Sequence, residues 1–204
     1  MMNDKDKEFY GKFADRIEAL KEDIESKISQ MSLSVTGTEE ERSVEHILGR
    51  IKNSESIKEK LKRKNLPTEV EAALVNLSDV IGFRCVTHFV GNVYALSTLI
   101  ENEKTWEVVE VKDYIASPKE NGYRSLHIII AVPFDDEFIK YVRVEIQLRT
   151  IAMDCWAALE HEMRYKKDID NTKLISSELK RCADEMASTD LSMQTIKDMI
   201  RGEF

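Results

Sequence analysis

The stretch VRVEIQLRT, residues 142–150, constrains the fold most strongly, because its apolar and polar residues alternate one by one. Successive side chains of a β-strand point to opposite faces, so the pattern predicts a strand with one buried face and one wholly polar face. The buried face would carry Val142, Val144, Ile146 and Leu148. The polar face, which is either solvated or one wall of a site, would carry Arg143, Glu145, Gln147 and Arg149.

The rest of the chain predicts a mixed α/β (α+β) domain with helical arms at both ends. Apolar residues at helical spacing predict a long helix over residues 4–31, and a polar connection follows over 32–43. Two strands separated by a helix favour one parallel crossover, and the other strands can pair as antiparallel neighbours. From residue 150 onward we expect helices. Strands are predicted over 44–52, 79–89, 106–114, 125–134 and 142–150, and further helices over 54–64 and 92–102.

Cysteine content and net charge indicate the compartment and the kinds of partner that we expect for the protein. The three cysteines show neither disulfide nor metal-ligand spacing, which predicts a reducing, cytoplasmic compartment. No apolar run approaches the length of a membrane span, so no membrane partner is expected. The formal net charge of −8 argues against generic nucleic-acid binding, and a basic cluster in this chain therefore needs a local reason.

One basic cluster lies in GRIKNSESIKEKLKRK, residues 49–64. Arg50 and Lys52 would project to the same side of an extended segment, and Ser56, Lys60 and Arg63 would share one face of the following helix. Four cations and a hydroxyl facing one way are what a polyphosphate requires. A solvated basic helix face is the alternative.

Two carboxylates are candidate metal ligands. Asp79 opens one predicted strand, and Glu145 lies in the middle of another. Carboxylates on neighbouring strands can hold Mg²⁺ while phosphates and water complete its shell. Alternatively, Asp79 caps a turn and Glu145 pairs with Arg143 or Arg149.

A loop aromatic is a candidate for binding a base. In VKDYIASPKENGYRSLH, residues 111–127, Tyr123 follows an Asn-Gly turn. An exposed aromatic beside cations suits stacking on a base whose phosphates are held nearby, although an ordinary surface tyrosine is the alternative. The cationic residues around it are Lys112, Lys119, Arg124 and His127.

The predicted helix AMDCWAALEHEMRY, residues 152–165, offers a second contact for a base. Asp154, Ala157, Ala158 and His161 would share one helix face, where the small residues leave room for a flat ligand. An aspartate can accept hydrogen bonds from both the N1–H and the exocyclic amine of guanine. Packing of this face against a neighbouring element through its alanines is the alternative.

Taken in order, these motifs and LSDVIGFRC, residues 77–85, resemble the synthetase domain of the RelA/SpoT family, and in particular its single-domain small alarmone synthetases. The resemblance runs over residues 44–168. It implies a mixed sheet of the nucleotidyltransferase type flanked by helices. It also implies Mg²⁺-dependent transfer of the β,γ-pyrophosphate of ATP to the ribose 3′-hydroxyl of GDP or GTP, which yields guanosine tetra- or pentaphosphate and AMP.

The resemblance further implies a role for individual residues. Tyr123 would stack on guanine and Asp154 would read its edge, where many relatives have Asn. Asp79 and Glu145 would bind Mg²⁺, Glu145 would also activate the 3′-hydroxyl, and Gln147 would contact the acceptor ribose. The acceptor phosphates would be contacted by Lys112, Lys119 and His127. ATP would be held at its phosphates by Arg50, Lys52, Ser56, Lys60 and Arg63, and at its adenine by Arg84.

Domain organisation and regulation follow from the same resemblance. We expect a helical extension over residues 1–43, the synthetase domain over 44–168 and a helical segment over 169–204. Relatives form homotetramers through terminal helices, and the tail would dock either on another copy or within the monomer. Its apolar residues are Leu174, Ile175, Leu179, Met186, Met193, Ile196 and Ile200.

Two departures from the family pattern limit what the chain is expected to do. It has no His-Asp dipeptide and no length for the family's separate hydrolase domain, so degradation of the product is not expected. Some relatives are activated by their product through an aromatic residue and a Thr. Here those places are His46 and Leu48, so activation of that kind is not predicted.

Two other functions would use the same residues. Toxin members of the family pyrophosphorylate the 3′ end of tRNA, but the net acidity and Asp154 favour a small acceptor. A non-catalytic single-stranded RNA-binding module would use Tyr123 and the lysines, and would leave both carboxylates without a purpose. The sequence does not decide between GDP, GTP and GMP as the preferred acceptor.

Overall fold

The computed structural model describes residues 2–35, 43–164 and 172–202. Its helices are α1 (Asp4–Tyr10), α2 (Ala14–Ser34), α3 (Ser54–Arg63), α4 (Val70–Asn76), α5 (Val90–Asn102), α6 (Ile151–Arg164) and α7 (Thr172–Arg201). Its strands are β1 (Val44–Ile51), β2 (Ile81–Thr87), β3 (Glu107–Asp113), β4 (Leu126–Pro133) and β5 (Tyr141–Thr150).

The five strands form one mixed sheet in the order β1-β2-β5-β4-β3. β2 and β5 pair in parallel, and the other neighbouring strands are antiparallel. The prediction of one parallel pairing is confirmed, but it does not join the two strands on either side of α5. β2 and β3 run in the same direction with β5 and β4 between them. The alternating strand β5 therefore lies at the centre of the sheet.

The alternation in β5 produces the two faces that the sequence predicts. Its four apolar side chains are fully buried, whereas Glu145 and Gln147 on the other face are partly open to solvent. Helices α2, α4 and α5 cover the apolar side, and α2 contributes the fully buried Ile17, Ile24 and Ile28. Full burial of each such side chain contributes roughly 1.5–3 kcal/mol. The core thus occupies one side of the sheet and leaves the other for polar residues.

Some predicted boundaries are wrong in detail. The N-terminal helix is broken by a 3-10 turn over Gly11–Phe13 and ends at Ser34. Asp79 lies two residues before β2 and does not open it. Helix α4 was not predicted, because seven residues are too few to show a helical period. Most of the predicted connection over 32–43, and the predicted boundary between residues 168 and 169, lie outside the described residues.

Helix α7 attaches to the domain through few buried residues. Ala183 and Asp190 are buried, and the Thr150 hydroxyl at the end of β5 donates a hydrogen bond to Asp190. Of the predicted docking residues, Ile175, Leu179 and Met186 are partly buried. Those that remain exposed are Leu174, Met193, Ile196 and Ile200. Neither α7 nor any other helix of the described residues is long and apolar enough to cross a membrane.

Candidate active site

A cleft of about 290 Å³ opens on the polar side of the sheet, where β1, β2 and β5 lie side by side. The parallel pairing places Arg84 opposite Gln147 and brings Glu145 opposite Gly82, which has no side chain to fill the space. Five of the residues that the sequence singled out line this cleft. They are Arg50, Asp79, Arg84, Glu145 and Gln147.

Two lysines hold the Asp79 carboxylate. Lys52 Nζ lies 2.6 Å from Asp79 Oδ2, and Lys60 Nζ lies 2.8 Å from Oδ1. Burial by itself would raise the pKa of Asp79, but the hydrogen bond from Lys52 and the nearby charges of Lys52 and Lys60 bring the pKa below its ordinary value. The carboxylate is therefore ionised at neutral pH, and it does not serve as the turn cap that was the alternative.

The N-terminal helices fix the segment that carries these lysines. The Tyr10 hydroxyl donates to the backbone oxygen of Lys52 at 2.6 Å. The buried Asp6 carboxylate accepts from the backbone N–H of Ser54 at the start of α3, and the Asn53 side chain caps the same helix by accepting from the N–H of Ser56. Capping oxygens of this kind typically stabilise a helix by about 1 kcal/mol. The direction of α3 is thus set by contacts on its first turn.

Glu145 contacts polar neighbours on two strands. Gln147 Nε2 donates to Glu145 Oε2 at 2.7 Å, and His127 Nδ1 on β4 lies 3.5 Å from Oε1. Burial would raise the pKa of Glu145, but the contacts with His127 and Gln147 lower it below its ordinary value. The pairing of Glu145 with Arg143 or Arg149, which was the alternative, is not present among the described contacts.

Tyr123 is partly buried in an aromatic cluster and is not an ordinary surface residue. Its ring contacts Tyr114 and His127 edge-on, with centroids 6.2 and 5.9 Å away, and Lys119 Nζ lies 4.8 Å from its centroid. The hydroxyl lies 2.9 Å from His127 Nε2. Burial raises the pKa of Tyr123, so its hydroxyl keeps its proton at neutral pH.

The turn before Tyr123 rests against α7. Gly122 has a φ of +89°, a left-handed conformation that favours glycine, and a Cβ there would lie 2.6 Å from the Ala183 Cβ. Arg124 Nη2 pairs with Asp184 on α7 at 2.8 Å. The C-terminal helix therefore determines where this turn lies.

Asp154 lies between two arginines at the start of α6. Arg149 Nη1 donates to Asp154 Oδ1 at 3.2 Å, and Arg84 Nη1 lies 3.5 Å from the same oxygen. Ala158 and His161 farther along this face are exposed, so no described element packs on it there. The sequence analysis named Arg149 only as an alternative ion-pair partner of Glu145, although the strand alternation placed it on the same face as Glu145 and Gln147.

Three predicted residues lie outside this cluster of contacts. Lys112 is exposed on β3 and pairs with Glu110 at 2.8 Å. Ser56 and Arg63 lie on α3 and do not line the cleft. No described contact joins Ser56 or Arg63 to Asp79 or Glu145, and Lys112 reaches Glu145 only through a longer-range charge interaction.

The donor set fits a hard divalent cation. Asp79 and Glu145 are both ionised and line one cleft. Among the described residues, Asp79 Oδ1 is buried and accepts no well-directed hydrogen bond, although Lys60 is close. The described residues contain no cluster of three or more His, Cys, Asp or Glu that could enclose a metal. Two carboxylates completed by phosphates and water are how proteins typically hold Mg²⁺.

The fold and the cleft together define the class: a mixed α/β domain with paired carboxylates among cations, which suits phosphate chemistry. A sequence model of the family described as "Region found in RelA / SpoT proteins" matches residues 49–170, more than half of the chain. The chain belongs to the RelA/SpoT family.

Individual relatives agree with this assignment. GTP pyrophosphokinase YwaC of Bacillus subtilis (strain 168) is 37% identical over 175 residues, covering 85% of this chain and 83% of the relative. GTP pyrophosphokinase YjbM of the same organism is 34% identical over 160 residues, covering 78% and 74%.

A solved structure confirms the predicted fold. The small alarmone synthetase 1 from Bacillus subtilis bound to its product pppGpp superposes with a TM-score of 0.78 at 29% identity, covering 95% of this chain and 97% of that chain.

Proposed function

We propose that the protein is an alarmone synthetase that transfers the β,γ-pyrophosphate of ATP to the 3′-hydroxyl of GDP or GTP and releases AMP. The observation that carries the proposal is that ionised Asp79 and Glu145 line one cleft together with Arg50 and Arg84. The two curated relatives described above are GTP pyrophosphokinases. The reaction requires two aligned nucleotides and charge neutralisation, and little covalent chemistry from the protein.

On the donor side, cations neutralise the phosphates of ATP. Lys52 and Lys60 exchange Asp79 for phosphate oxygens, Arg50 adds a contact from the cleft wall, and Ser56 and Arg63 add contacts from α3. Arg84, which is partly exposed beside Gln147, stacks on adenine. Asp79 and Glu145 would hold Mg²⁺, which when bound supplies further neutralisation of the phosphate charge.

On the acceptor side, Tyr123 stacks on guanine and Asp154 accepts from its Watson–Crick edge. Gln147 contacts the ribose, and the phosphates are bound by Lys112, Lys119 and His127. Glu145 takes the proton of the 3′-hydroxyl while the hydroxyl oxygen forms a bond to the β-phosphorus of ATP. The bond between the β-phosphorus and the oxygen that bridges the α- and β-phosphates breaks, and AMP leaves with the electron pair of that bond.

The proposal includes the organisation of the chain. Residues 44–168 form the synthetase unit between an N-terminal extension over 1–43 and a C-terminal segment over 169–204, and the enzyme works in the cytoplasm. Copies assemble into a homotetramer through the apolar residues exposed on α7, of which Leu191, Ile196 and Ile200 are examples. Light scattering coupled to size-exclusion chromatography measures this assembly.

Product analysis tests the reaction directly. The purified protein is incubated with ATP and Mg²⁺ and with GDP, GTP or GMP, and the products are separated by ion-exchange chromatography. We expect AMP together with a guanosine carrying two additional phosphates. Absence of both would overturn the proposal, and label transferred from ATP to tRNA in a parallel reaction would indicate the toxin type.

A further inference from the structure

Two chains of hydrogen-bonding groups run from Arg149 to Glu145. In the first, Arg149 Nη2 donates to the Tyr123 hydroxyl at 2.9 Å, the hydroxyl lies 2.9 Å from His127 Nε2, and His127 Nδ1 lies 3.5 Å from Glu145. In the second, Arg149 Nη2 donates to Gln147 Oε1 at 2.7 Å, and Gln147 Nε2 donates to Glu145 at 2.7 Å. The two chains form a closed ring of five side chains.

Arg149 and Glu145, at opposite positions in the ring, set the direction of the bonds that they make themselves. A guanidinium can only donate, and an ionised carboxylate can only accept. The Tyr123 hydroxyl accepts from Arg149, and its oxygen lies 2.9 Å from His127 Nε2. The Gln147 amide has its oxygen toward Arg149 and its nitrogen toward Glu145. One buried cation thus orients the groups on both chains.

Burial of Arg149 leaves one of its nitrogens unpaired while the other two bind neighbouring side chains. Its side chain is only 3% exposed, and its Nε is buried without a hydrogen-bond partner among the described residues. An unpaired buried donor is unfavourable and calls for a functional reason. The other two nitrogens supply that reason. Nη1 donates to Asp154, and Nη2 donates to both Tyr123 and Gln147.

We propose that Arg149 is the positioning residue of the acceptor site, which orients Tyr123, Gln147 and Asp154 at the same time. The inference rests on the proposed function, because those three residues are assigned there to guanine and its ribose. Arg149 acts through them. Only a planar fork of donors can reach the three acceptors from one side chain, and lysine, with all its donors on one nitrogen, cannot.

The test compares Arg149→Lys with Arg143→Lys, a matched control on the same strand and the same face but exposed. We expect Arg149→Lys to raise the acceptor KM by about tenfold or more, the loss typical of charge-assisted hydrogen bonds. The KM for ATP should change by less than about twofold, and the preference for guanine over hypoxanthine acceptors should fall. Arg143→Lys should change none of these quantities.

A purely structural role would give a different pattern. It would lower the melting temperature of Arg149→Lys and raise both KM values equally, or leave the acceptor KM unchanged, and either result overturns the inference. Calorimetric titration with GDP repeats the comparison without turnover. A wild type that makes no AMP contradicts the proposed function, whereas an active wild type with normal GDP affinity in Arg149→Lys contradicts this inference alone.

Tyr123→Phe supplies a second variant, which tests the inference alone if Arg149→Lys folds poorly and in combination with Arg149→Lys if that variant folds. The substitution removes only the hydroxyl that Arg149 orients and keeps the ring. In the wild-type background it should raise the acceptor KM, and in the Arg149→Lys background it should add little, because that chain of bonds is already broken. If Tyr123→Phe leaves GDP affinity unchanged, or if the two effects are fully additive, Arg149 does not act through Tyr123.

Discussion

The proposed donor and acceptor sides of the cleft differ in how their polar side chains are held. On the proposed donor side, Lys52 and Lys60 are partly exposed and pair with Asp79, so binding of ATP phosphates would require these contacts to be exchanged. On the acceptor side, Tyr123 and Gln147 are already oriented by the buried Arg149. Under the proposed assignment, the free-energy cost of organising the site arises on binding for ATP and on folding for the acceptor.

The largest expected effect is at Glu145, where the two sides meet. Glu145→Gln keeps the volume and the strand pattern but removes the charge, and with it the proposed metal ligand and the proposed base for the 3′-hydroxyl. We expect kcat to fall by about 10²–10⁴-fold, the loss typical of a general base. Nucleotide affinity should fall much less, because the cations and Tyr123 remain.

Kinetics and calorimetry measure the two quantities, and the melting temperature reports on folding. Glu107→Gln, on an exposed part of β3, is the matched control. If folded Glu145→Gln keeps more than about a tenth of the wild-type kcat, Glu145 is neither the base nor an essential ligand.

The second-largest expected effect is that Tyr123→Ala changes the acceptor KM much more than the KM for ATP. Stacking on a base contributes about 1–3 kcal/mol, so the acceptor KM should rise by about 5- to 150-fold while the KM for ATP stays within about twofold. The control is Tyr141→Ala, an exposed tyrosine at the start of β5. Equal increases in both KM values would show that the acceptor side is not organised as a separate unit.

Asp154→Ala should weaken the selection of the base. Inosine nucleotides lack the exocyclic amine, so the wild type should prefer guanine by about 1–2 kcal/mol, and the variant should lose most of that preference. Asp154→Asn, which keeps one accepting oxygen, should retain part of it. Competition between guanine and inosine nucleotides gives the ratio, and an unchanged ratio in Asp154→Ala would assign the reading of the base to another residue.

The smallest expected effect concerns Asp190, and it tests whether burying this carboxylate beside the end of β5 lowers the free energy of unfolding. Burial raises the pKa of Asp190, only partly offset by the hydrogen bond from Thr150. A carboxyl whose pKa is raised by folding destabilises the protein once pH exceeds its ordinary value of about 4. Asp190→Asn should therefore melt higher at neutral pH, by roughly 2–4 °C per kcal/mol.

The pH dependence distinguishes this cause from a change in packing. The difference in melting temperature should shrink to near zero below about pH 4, where both proteins are uncharged at residue 190. Melting curves between acid and neutral pH provide the measurement. A difference that stays constant across this range would not come from the charge of Asp190.

Local patterns in the sequence predicted the strands and the residues of the cleft, but they did not predict how the chain arranges them. The alternation in β5 was sufficient to place Glu145 and Gln147 on a polar face. The position of β5 between β2 and β4 depends on pairings between distant segments, which no local period encodes. The burial of Arg149 depends on Asp154 in the next helix and on Tyr123 in a separate loop, so a single strand pattern could not reveal it.

The contact between Gly122 and Ala183 has a consequence for how sequences of this architecture can diverge. The α-hydrogen of Gly122 faces the methyl group of Ala183, and the space between them is too small for a Cβ at position 122. Substitutions at these positions are therefore coupled across sixty residues of chain, and relatives with the same helix arrangement should keep both residues small. Under selection for growth that depends on the acceptor site, random codons at position 183 should yield only glycine, alanine or serine, whereas the exposed neighbour Cys182 should tolerate many residues.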